Sequence, residues 1–189
     1  MRTTQPLVVG FDLSLNGTGI AYVDGACSTV KCGPHQGDDR LGIIRAACYR
    51  AIDPLRVGKV AVAVIEGPIL HGPGPQAMFG IGMVHGAVRH MLNRRGIPYV
   101  TVNPSTLKLH ATGSGRADKD QMAAALVRDH HVELGDDNQV DAWWLRHMGL
   151  CAFEQAALPR DLTERALTDW LRNIRYTPAQ PTLEGTTTP

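Results

Sequence analysis

The sequence has no long apolar segment, little net charge and few cysteines, and each absence excludes a class of protein. No apolar run in the 189 residues approaches the roughly 20 needed to span a bilayer. The first six residues are polar, unlike a hydrophobic leader, so we expect a cytoplasmic protein with no membrane association. The remaining composition, 43% hydrophobic and 20% charged, is typical of a single globular domain.

The cysteines lack the spacing of a structural zinc site. Cys27 and Cys32 are separated by four residues, whereas Cys48 and Cys151 each stand alone. Structural zinc sites usually contain two close pairs, and the sequence has no second pair. We therefore expect buried, reduced thiols.

The net charge of +1 gives no general attraction for nucleic acid, but the basic residues are unevenly distributed. Between residues 89 and 119 the only acid is Asp118, and six side chains are basic. These are Arg89, Arg94, Arg95, Lys108, Arg116 and Lys119. Such a stretch could bind phosphates or could be an ordinary solvated face, and the sequence leaves both interpretations open.

Apolar patterning predicts an α/β domain with a mixed sheet. Strands are predicted over residues 7–13, 19–23, 28–32, 59–65 and 98–102, with a hairpin at Asn16-Gly17. Helices are predicted over residues 38–52, 77–94, 118–132, 136–150 and 162–175. We expect one domain over residues 1–176 and a disordered tail over residues 177–189.

Two predicted strands end in a carboxylate, and a later helix carries a third carboxylate near its start. Asp12 and Glu66 each follow an apolar run and precede turn residues, while Asp141 follows Asp137 and Asn138 by four and three residues. These spacings bring Asp137 or Asn138 onto the helix face of Asp141. Hard oxygen ligands of this kind suit Mg²⁺ or Mn²⁺, and several around one point suit a two-metal phosphodiester site.

Each of these residues alone has a simpler explanation. Asp12 could be a turn residue, Glu66 the exposed end of a strand, and the pair at residues 137 and 138 a helix cap. Only their combination favours a metal site.

Five segments resemble, in order, motifs of the RuvC-type Holliday-junction resolvases of the ribonuclease H-like superfamily. GFDLSLNGTGIAYVD resembles the opening hairpin, AVIEGP the second acidic motif and FGIGMVHGAV a helix of small residues. GSGRADKDQM resembles the loop that carries a functional lysine, and DDNQVDAWWL the final acidic helix. The resemblance covers residues 7–150 and is compatible with a phage or actinobacterial-type member. It implies a ribonuclease H-like mixed five-stranded sheet flanked by helices, with an extra C-terminal helix.

The resemblance also implies roles for the acids and lysines. Asp12, Glu66 and Asp141 match the metal ligands and would bind two Mg²⁺ ions, with Mn²⁺ able to substitute. Lys119 would be the fourth catalytic residue and would neutralise the scissile phosphate. Lys108, eleven residues earlier, would position the DNA backbone.

The sequence departs from the family pattern at two positions. Asn138 stands where the family usually has Asp or His, so Asp137 could compensate as a ligand. Ile69 stands where the family often has an aromatic wedge, although aliphatic side chains can also enter between bases. Arg94, Arg95 and Arg116 are expected to contact DNA as well.

The function implied is that of a metal-dependent crossover-junction endodeoxyribonuclease, acting as a homodimer on four-way DNA in a bacterial cell or phage-infected host. Gly82 and Gly86, four apart on a predicted helix, indicate close helix packing, and the resemblance favours a second chain as the neighbour. Three alternatives remain. They are a related nuclease acting on flaps or RNA–DNA hybrids, a non-catalytic DNA-binding module, and an actin-like or sugar-kinase ATPase. The segment DLSLNGTGIAYVD also resembles the phosphate-binding hairpin of such ATPases.

Overall fold

A computed structural model of the chain describes residues 6–35, 37–57, 59–68 and 74–155. Ile69, the predicted helix over residues 162–175 and the predicted tail over residues 177–189 lie outside these ranges. Within them, the predicted mixed five-stranded sheet is confirmed. Its strands are β1 (Val8–Asp12), β2 (Thr18–Ala21), β3 (Cys27–Val30), β4 (Val62–Glu66) and β5 (Tyr99–Val102).

The strand order is β3-β2-β1-β4-β5, with the first strand of the sequence in the centre. Strands β1, β2 and β3 pair antiparallel, which confirms the predicted hairpin, and β4 and β5 run parallel to β1. The loop of the hairpin is held by Thr18, whose hydroxyl donates to the Ser14 carbonyl oxygen at 2.7 Å. Because β1 and β4 are neighbouring parallel strands, their carboxyl ends lie side by side.

The helices connect these strands and follow them. They are α1 (Asp38–Ile52), α2 (Pro54–Val57), α3 (Pro75–Arg94), α4 (Pro104–Thr112), α5 (Lys119–His130) and α6 (Asp137–Gln155). The apolar patterns of the sequence did not predict α2 or α4. The signal for α4 was present in Asn103-Pro104, since Asn103 accepts a hydrogen bond from the Ser105 amide at 2.9 Å and proline favours the first helical turn.

Helices cover both faces of the sheet and form two apolar cores. On one face, α1 and α3 pack against the side chains of Val9, Phe11 and Ile65. On the other face, α4, α5 and α6 pack against Val8 and Val64. A strand that is buried on both sides needs apolar residues at successive positions, which explains the unbroken apolar runs that precede the two carboxylates.

Helix α6 rests directly on the backbone of the sheet at two glycines. A Cβ atom at Gly10 would lie 2.1 Å from the Ala142 carbonyl oxygen, and one at Gly19 would lie 1.9 Å from the Asn138 carbonyl oxygen. Both distances are far shorter than any van der Waals contact. Only glycine therefore permits the helix to approach β1 and β2 this closely.

No disulfide links any of the four cysteines. Cys32 and Cys48 are buried, as expected for packing residues, whereas Cys27 and Cys151 are half-buried, contrary to the expectation. Among the helices of the described ranges, none combines the length and apolar character needed to cross a membrane.

We expect Gly10→Ala and Gly19→Ala each to lower the free energy of unfolding by about 1–3 kcal/mol or more, because the added methyl group would push α6 off the sheet. Gly42→Ala is the matched control, since its Cβ would meet no atom within 4 Å. In α1 it should be neutral or stabilise by about 0.5–1 kcal/mol. Urea unfolding measures the free energy of unfolding of the three variants. An equal change for Gly10→Ala and Gly42→Ala would contradict the close packing of α6.

Candidate active site

The site begins with two carboxylates at the carboxyl ends of adjacent strands. Phe11 of β1 is paired with Ile65 of β4, so Asp12 and Glu66 follow at neighbouring positions. The side chains of both acids are half-buried, and the Glu66 carboxyl group donates a hydrogen bond to the Asp12 carboxylate. The strand pairing alone therefore brings the first two predicted ligands together.

Asp141 approaches from α6, which lies across the same end of the sheet. It is half-buried, and its charge raises the pKa of both Asp12 and Glu66. Its backbone position is set by the contact of the neighbouring Ala142 carbonyl group with Gly10. The three predicted metal ligands thus form one acidic cluster, although they come from three separate elements.

This acidic cluster is strained electrostatically. Burial is the largest cause that raises the pKa of Asp12 and of Glu66, and repulsion between the carboxylates raises them further. Burial also raises the pKa of Asp141 to about 6. Carboxylates with raised pKa values lack enough positive charge around them, and a divalent cation would supply it. The donors are hard oxygens, which fit Mg²⁺ or Mn²⁺.

Lys119 and Lys108 lie near the acidic cluster. The Lys119 ammonium is 2.6 Å from the Asp137 carboxylate, and this hydrogen bond raises the pKa of the lysine. Lys119 also lowers the pKa of Asp12 and Asp141, while Lys108 of α4 lowers those of Glu66 and Asp141. The structure therefore brings both predicted lysines to the predicted acids.

The sequence left Asp137 and Asn138 as alternatives for a further metal ligand, and the structure gives these two residues different contacts. Asp136 precedes the helix and accepts hydrogen bonds from the Gln139 amide at 3.1 Å and from the Thr29 hydroxyl at 2.6 Å, so it caps α6 and ties it to β3. Asp137 pairs with Lys119 and raises the pKa of Asp141. Asn138 lies over the hairpin at Gly17 and Gly19.

The other predicted DNA contacts are divided between two ends of the molecule. Arg116 is exposed in the loop between α4 and α5, next to Lys119 in sequence. Arg94 and Arg95 lie at the end of α3 that leads into β5, which is the opposite end of the sheet from the acidic cluster. The guanidinium of Arg95 stacks over the Tyr49 ring at 4.5 Å. The structure does not bring these two arginines to the acids.

Sequence reasoning missed the residues that orient the site. Asn103, which begins the helix that carries Lys108, went unnoticed, although an asparagine before proline is a readable helix start. The contact of Thr29 with Asp136 joins residues 107 positions apart, and no local pattern reveals it.

No protein-family model matches the chain. Its sequence is similar to curated proteins named crossover junction endodeoxyribonuclease RuvC. The protein of Anaeromyxobacter sp. (strain K) is 29% identical over 120 residues, covering 62% of this chain and 63% of the relative. That of Saccharopolyspora erythraea is 30% identical over 128 residues, 64% of each chain. A third, from Anaeromyxobacter dehalogenans (strain 2CP-C), is 29% identical over 149 residues, covering 78% and 77%.

The first two alignments thus span slightly less than two thirds of the relatives' own length. Among solved structures, the chain resembles the Thermus thermophilus RuvC structure with a TM-score of 0.63 and 20% identity, covering 78% of this chain and 96% of that one. It resembles T. thermophilus RuvC in complex with Holliday junction substrate with a TM-score of 0.64 at the same identity, covering 78% and 95%. These similarities show that the fold is ribonuclease H-like.

The raised pKa values predict how stability depends on pH without metal. Because the folded carboxylates hold protons more tightly than the unfolded ones, the contribution of these three groups to stability is greatest at low pH and is lost as pH rises through their folded pKa values. Asp12→Asn removes one repelling charge and keeps an acceptor for Glu66. We expect it to raise the melting temperature in EDTA at pH 8 by at least about 2–4 °C, which corresponds to roughly 1 kcal/mol for a chain of this size.

The gain should largely disappear at pH 4, where the wild-type carboxylates are protonated. Asp39→Asn, at an exposed position in the first turn of α1, is the matched control and should show no such pH-dependent gain. Thermal unfolding followed by circular dichroism measures both variants. A destabilised Asp12→Asn protein at pH 8 would mean that the three acids do not repel one another.

Proposed function

We propose that this chain, which has a ribonuclease H-like fold and sequence similarity to RuvC proteins, is a RuvC-type, divalent-metal-dependent endonuclease that cleaves Holliday junctions and related branched DNA. The observation that carries the proposal is the acidic cluster of Asp12, Glu66 and Asp141 at one end of the sheet. A merely structural role would not require three carboxylates to share a half-buried site against their mutual repulsion. Relatives from bacteria support action in the cytoplasm of a bacterial cell or a phage-infected host.

The reaction is hydrolysis of a phosphodiester, in which water adds to phosphorus, the bond to the leaving oxygen breaks and that oxygen takes up a proton. Two Mg²⁺ ions, or Mn²⁺ in their place, would supply the Lewis acidity that activates water and stabilises the developing charge. The acidic cluster would hold them, with Asp137 and Asn138 as further oxygen donors on the first turn of α6. Ionised carboxylates are needed for this, so metal binding should strengthen as pH rises through the raised pKa values of the metal-free acids.

Lys119 would neutralise charge on the scissile phosphate. In the resting protein its ammonium pairs with Asp137, and the ion pair is largely exposed to solvent. Exposed ion pairs contribute little stability, so phosphate oxygens can replace the Asp137 carboxylate at small cost. Lys108, held on α4 near Glu66 and Asp141, would anchor the DNA backbone.

Arg116 would extend this contact along the exposed loop before α5. The resemblance to the family makes Ile69 a further DNA-binding residue. Arg94 and Arg95 could contact only a DNA arm that continues along α3 to the other end of the sheet. We therefore expect them to contribute to affinity for long junction arms rather than to cleavage.

The test is cleavage of a synthetic immobile four-way junction, compared with a linear duplex, a flap and an RNA–DNA hybrid, in Mg²⁺ and in EDTA. We expect the junction to be cut only with metal, and Asp12→Asn to abolish cutting. Lys119→Ala should retain junction affinity within a few-fold while cleavage falls by about 100-fold or more, because its contact strengthens in the transition state. Lys59 is exposed before β4 at the opposite end of the sheet, so Lys59→Ala should change neither junction affinity nor the rate of cleavage.

Preferred cutting of the flap or the hybrid would favour a ribonuclease H-like nuclease with another substrate. Junction binding without any cutting in Mg²⁺ or Mn²⁺ would favour a DNA-binding module. Equal losses of binding and cleavage in Lys119→Ala would make Lys119 an anchor for phosphate and remove it from the transition state.

We also propose that the active form is a homodimer joined through α3. Gly82 and Gly86 are exposed, and a Cβ at either position would meet nothing within 4 Å, so no helix of the described part of the chain packs on them. Phe79, which is 70% exposed, and the exposed Met78 lie nearby on the same helix. Two symmetric strands must be cut in a four-way junction, and a two-fold dimer suits this geometry.

Replacing both Gly82 and Gly86 by leucine is expected to weaken dimerisation and uncouple the paired cuts. The monomer should remain folded, because the space around both positions is open and glycine is a poor helix former. Light scattering across a concentration series and counting of single and double nicks measure the effect, with Gly42→Leu at an exposed position of α1 as the control. A wild-type chain that is monomeric at every concentration and still nicks in pairs would overturn the dimer.

A further inference from the structure

A cluster of metal-binding side chains lies outside the acidic cluster, between α4 and α6. His110 of α4 and His147 and Cys151 of α6 each present one ligand atom, and these three atoms lie within 4.8 Å of one another. His147 and Cys151 are four residues apart on one helix and therefore share a face, the spacing that helical metal sites use. His110 is buried and the other two are half-buried, so water can reach one side of the cluster.

Two of the three distances between these atoms, both measured from His147, match the edges of a zinc tetrahedron. Nε2 of His110 lies 3.1 Å from Nδ1 of His147, and Sγ of Cys151 lies 3.7 Å from the same nitrogen. Zinc bonds of about 2.0–2.1 Å to nitrogen and 2.3 Å to sulfur would place two nitrogens about 3.3 Å apart and a nitrogen and sulfur about 3.6 Å apart. The metal-free arrangement is thus close to the liganded one.

The chemistry of the cluster selects a borderline-soft ion. Burial lowers the pKa of His110 to about 4 and of His147 to about 3, and repulsion from neighbouring histidines adds to this. Both imidazoles are therefore uncharged at neutral pH and have a lone pair to donate. Thiolate and imidazole suit Zn²⁺, whereas Mg²⁺ prefers the oxygens of the acidic cluster.

Aromatic packing fixes the orientation of the His147 ring. The Trp143 ring stacks on it with centroids 5.1 Å apart and planes inclined by 12°, and the His130 ring of α5 packs against it at 4.5 Å. An imidazole held in this way would lose little conformational freedom on binding metal, which favours affinity.

We propose that His110, His147 and Cys151 form a Zn²⁺ site, with water as the fourth ligand, that is separate from the nuclease centre. The ion would replace the hydrogen bond between the two histidines by bonds that join α4 to α6. Lys108 precedes His110 by two residues on α4, and Asp141 precedes His147 by six on α6. A bound ion would thus fix the helix that carries the DNA-binding lysine relative to the helix that carries a catalytic acid.

Cobalt titration tests the site directly. The full chain, reduced and stripped of metal, is titrated with Co²⁺ in the presence of excess Mg²⁺, which occupies the acidic cluster. We expect one equivalent of Co²⁺ to give a thiolate-to-cobalt charge-transfer band and the intense visible bands of a four-coordinate ion. Oxygen ligands alone would give neither.

Cys151→Ala should lose the charge-transfer band and weaken Zn²⁺ binding, measured by competition with a chromophoric chelator, by about 100-fold or more, since even outer-shell changes cost about 10–100-fold. Cys27→Ala, at the other half-buried cysteine, and Asp12→Asn should both retain the band. Circular dichroism checks that each variant is folded. An octahedral oxygen-type spectrum for the wild type, or an unchanged thiolate band in Cys151→Ala, would overturn the proposal.

Discussion

The active site depends on the direct contact of α6 with the backbone of β1 and β2. Gly10 and Gly19 leave no side chain between helix and sheet, so the Ala142 and Asn138 carbonyl groups lie against the strands themselves. Asp141 is thereby carried to the strand ends where Asp12 and Glu66 already meet. An alanine at either glycine would separate the third acid from the other two, because a helix moves as a rigid rod.

The same contact has an electrostatic consequence. Three half-buried carboxylates brought to one point repel one another, and the nearby Lys108 and Lys119 offset only part of that repulsion. The fold supplies the compensating stability elsewhere, in two apolar cores on opposite faces of the sheet. A site that is held in this state would bind cations strongly, because they would relieve a repulsion already present, and the proposed phosphodiester hydrolysis needs such preorganisation.

Helix α6 also connects the acidic cluster with the proposed zinc site. Its first turns carry Asp137 and Asp141, its middle is anchored by Trp144, which donates to the Met122 carbonyl oxygen at 3.2 Å, and its later turns carry His147 and Cys151. The acidic oxygens at one end and the nitrogen and sulfur donors further along select different ions. One helix would therefore contribute to both proposed metal sites without competition between them.

Local patterns in the sequence predict the strands, most of the helices and the three acids. Two apolar strands end in Asp12 and Glu66, and a helix starts shortly before Asp141. The sequence also determined the capping of α5 by Asp118, which depends on residues three positions apart. Only the folded chain shows that Lys119 pairs with Asp137, that Arg94 and Arg95 lie far from the acids, and that His110 contacts His147. Those contacts join residues distant in sequence, and their geometry is set by strand order and by helix packing on glycine, neither of which leaves a periodic signal in the chain.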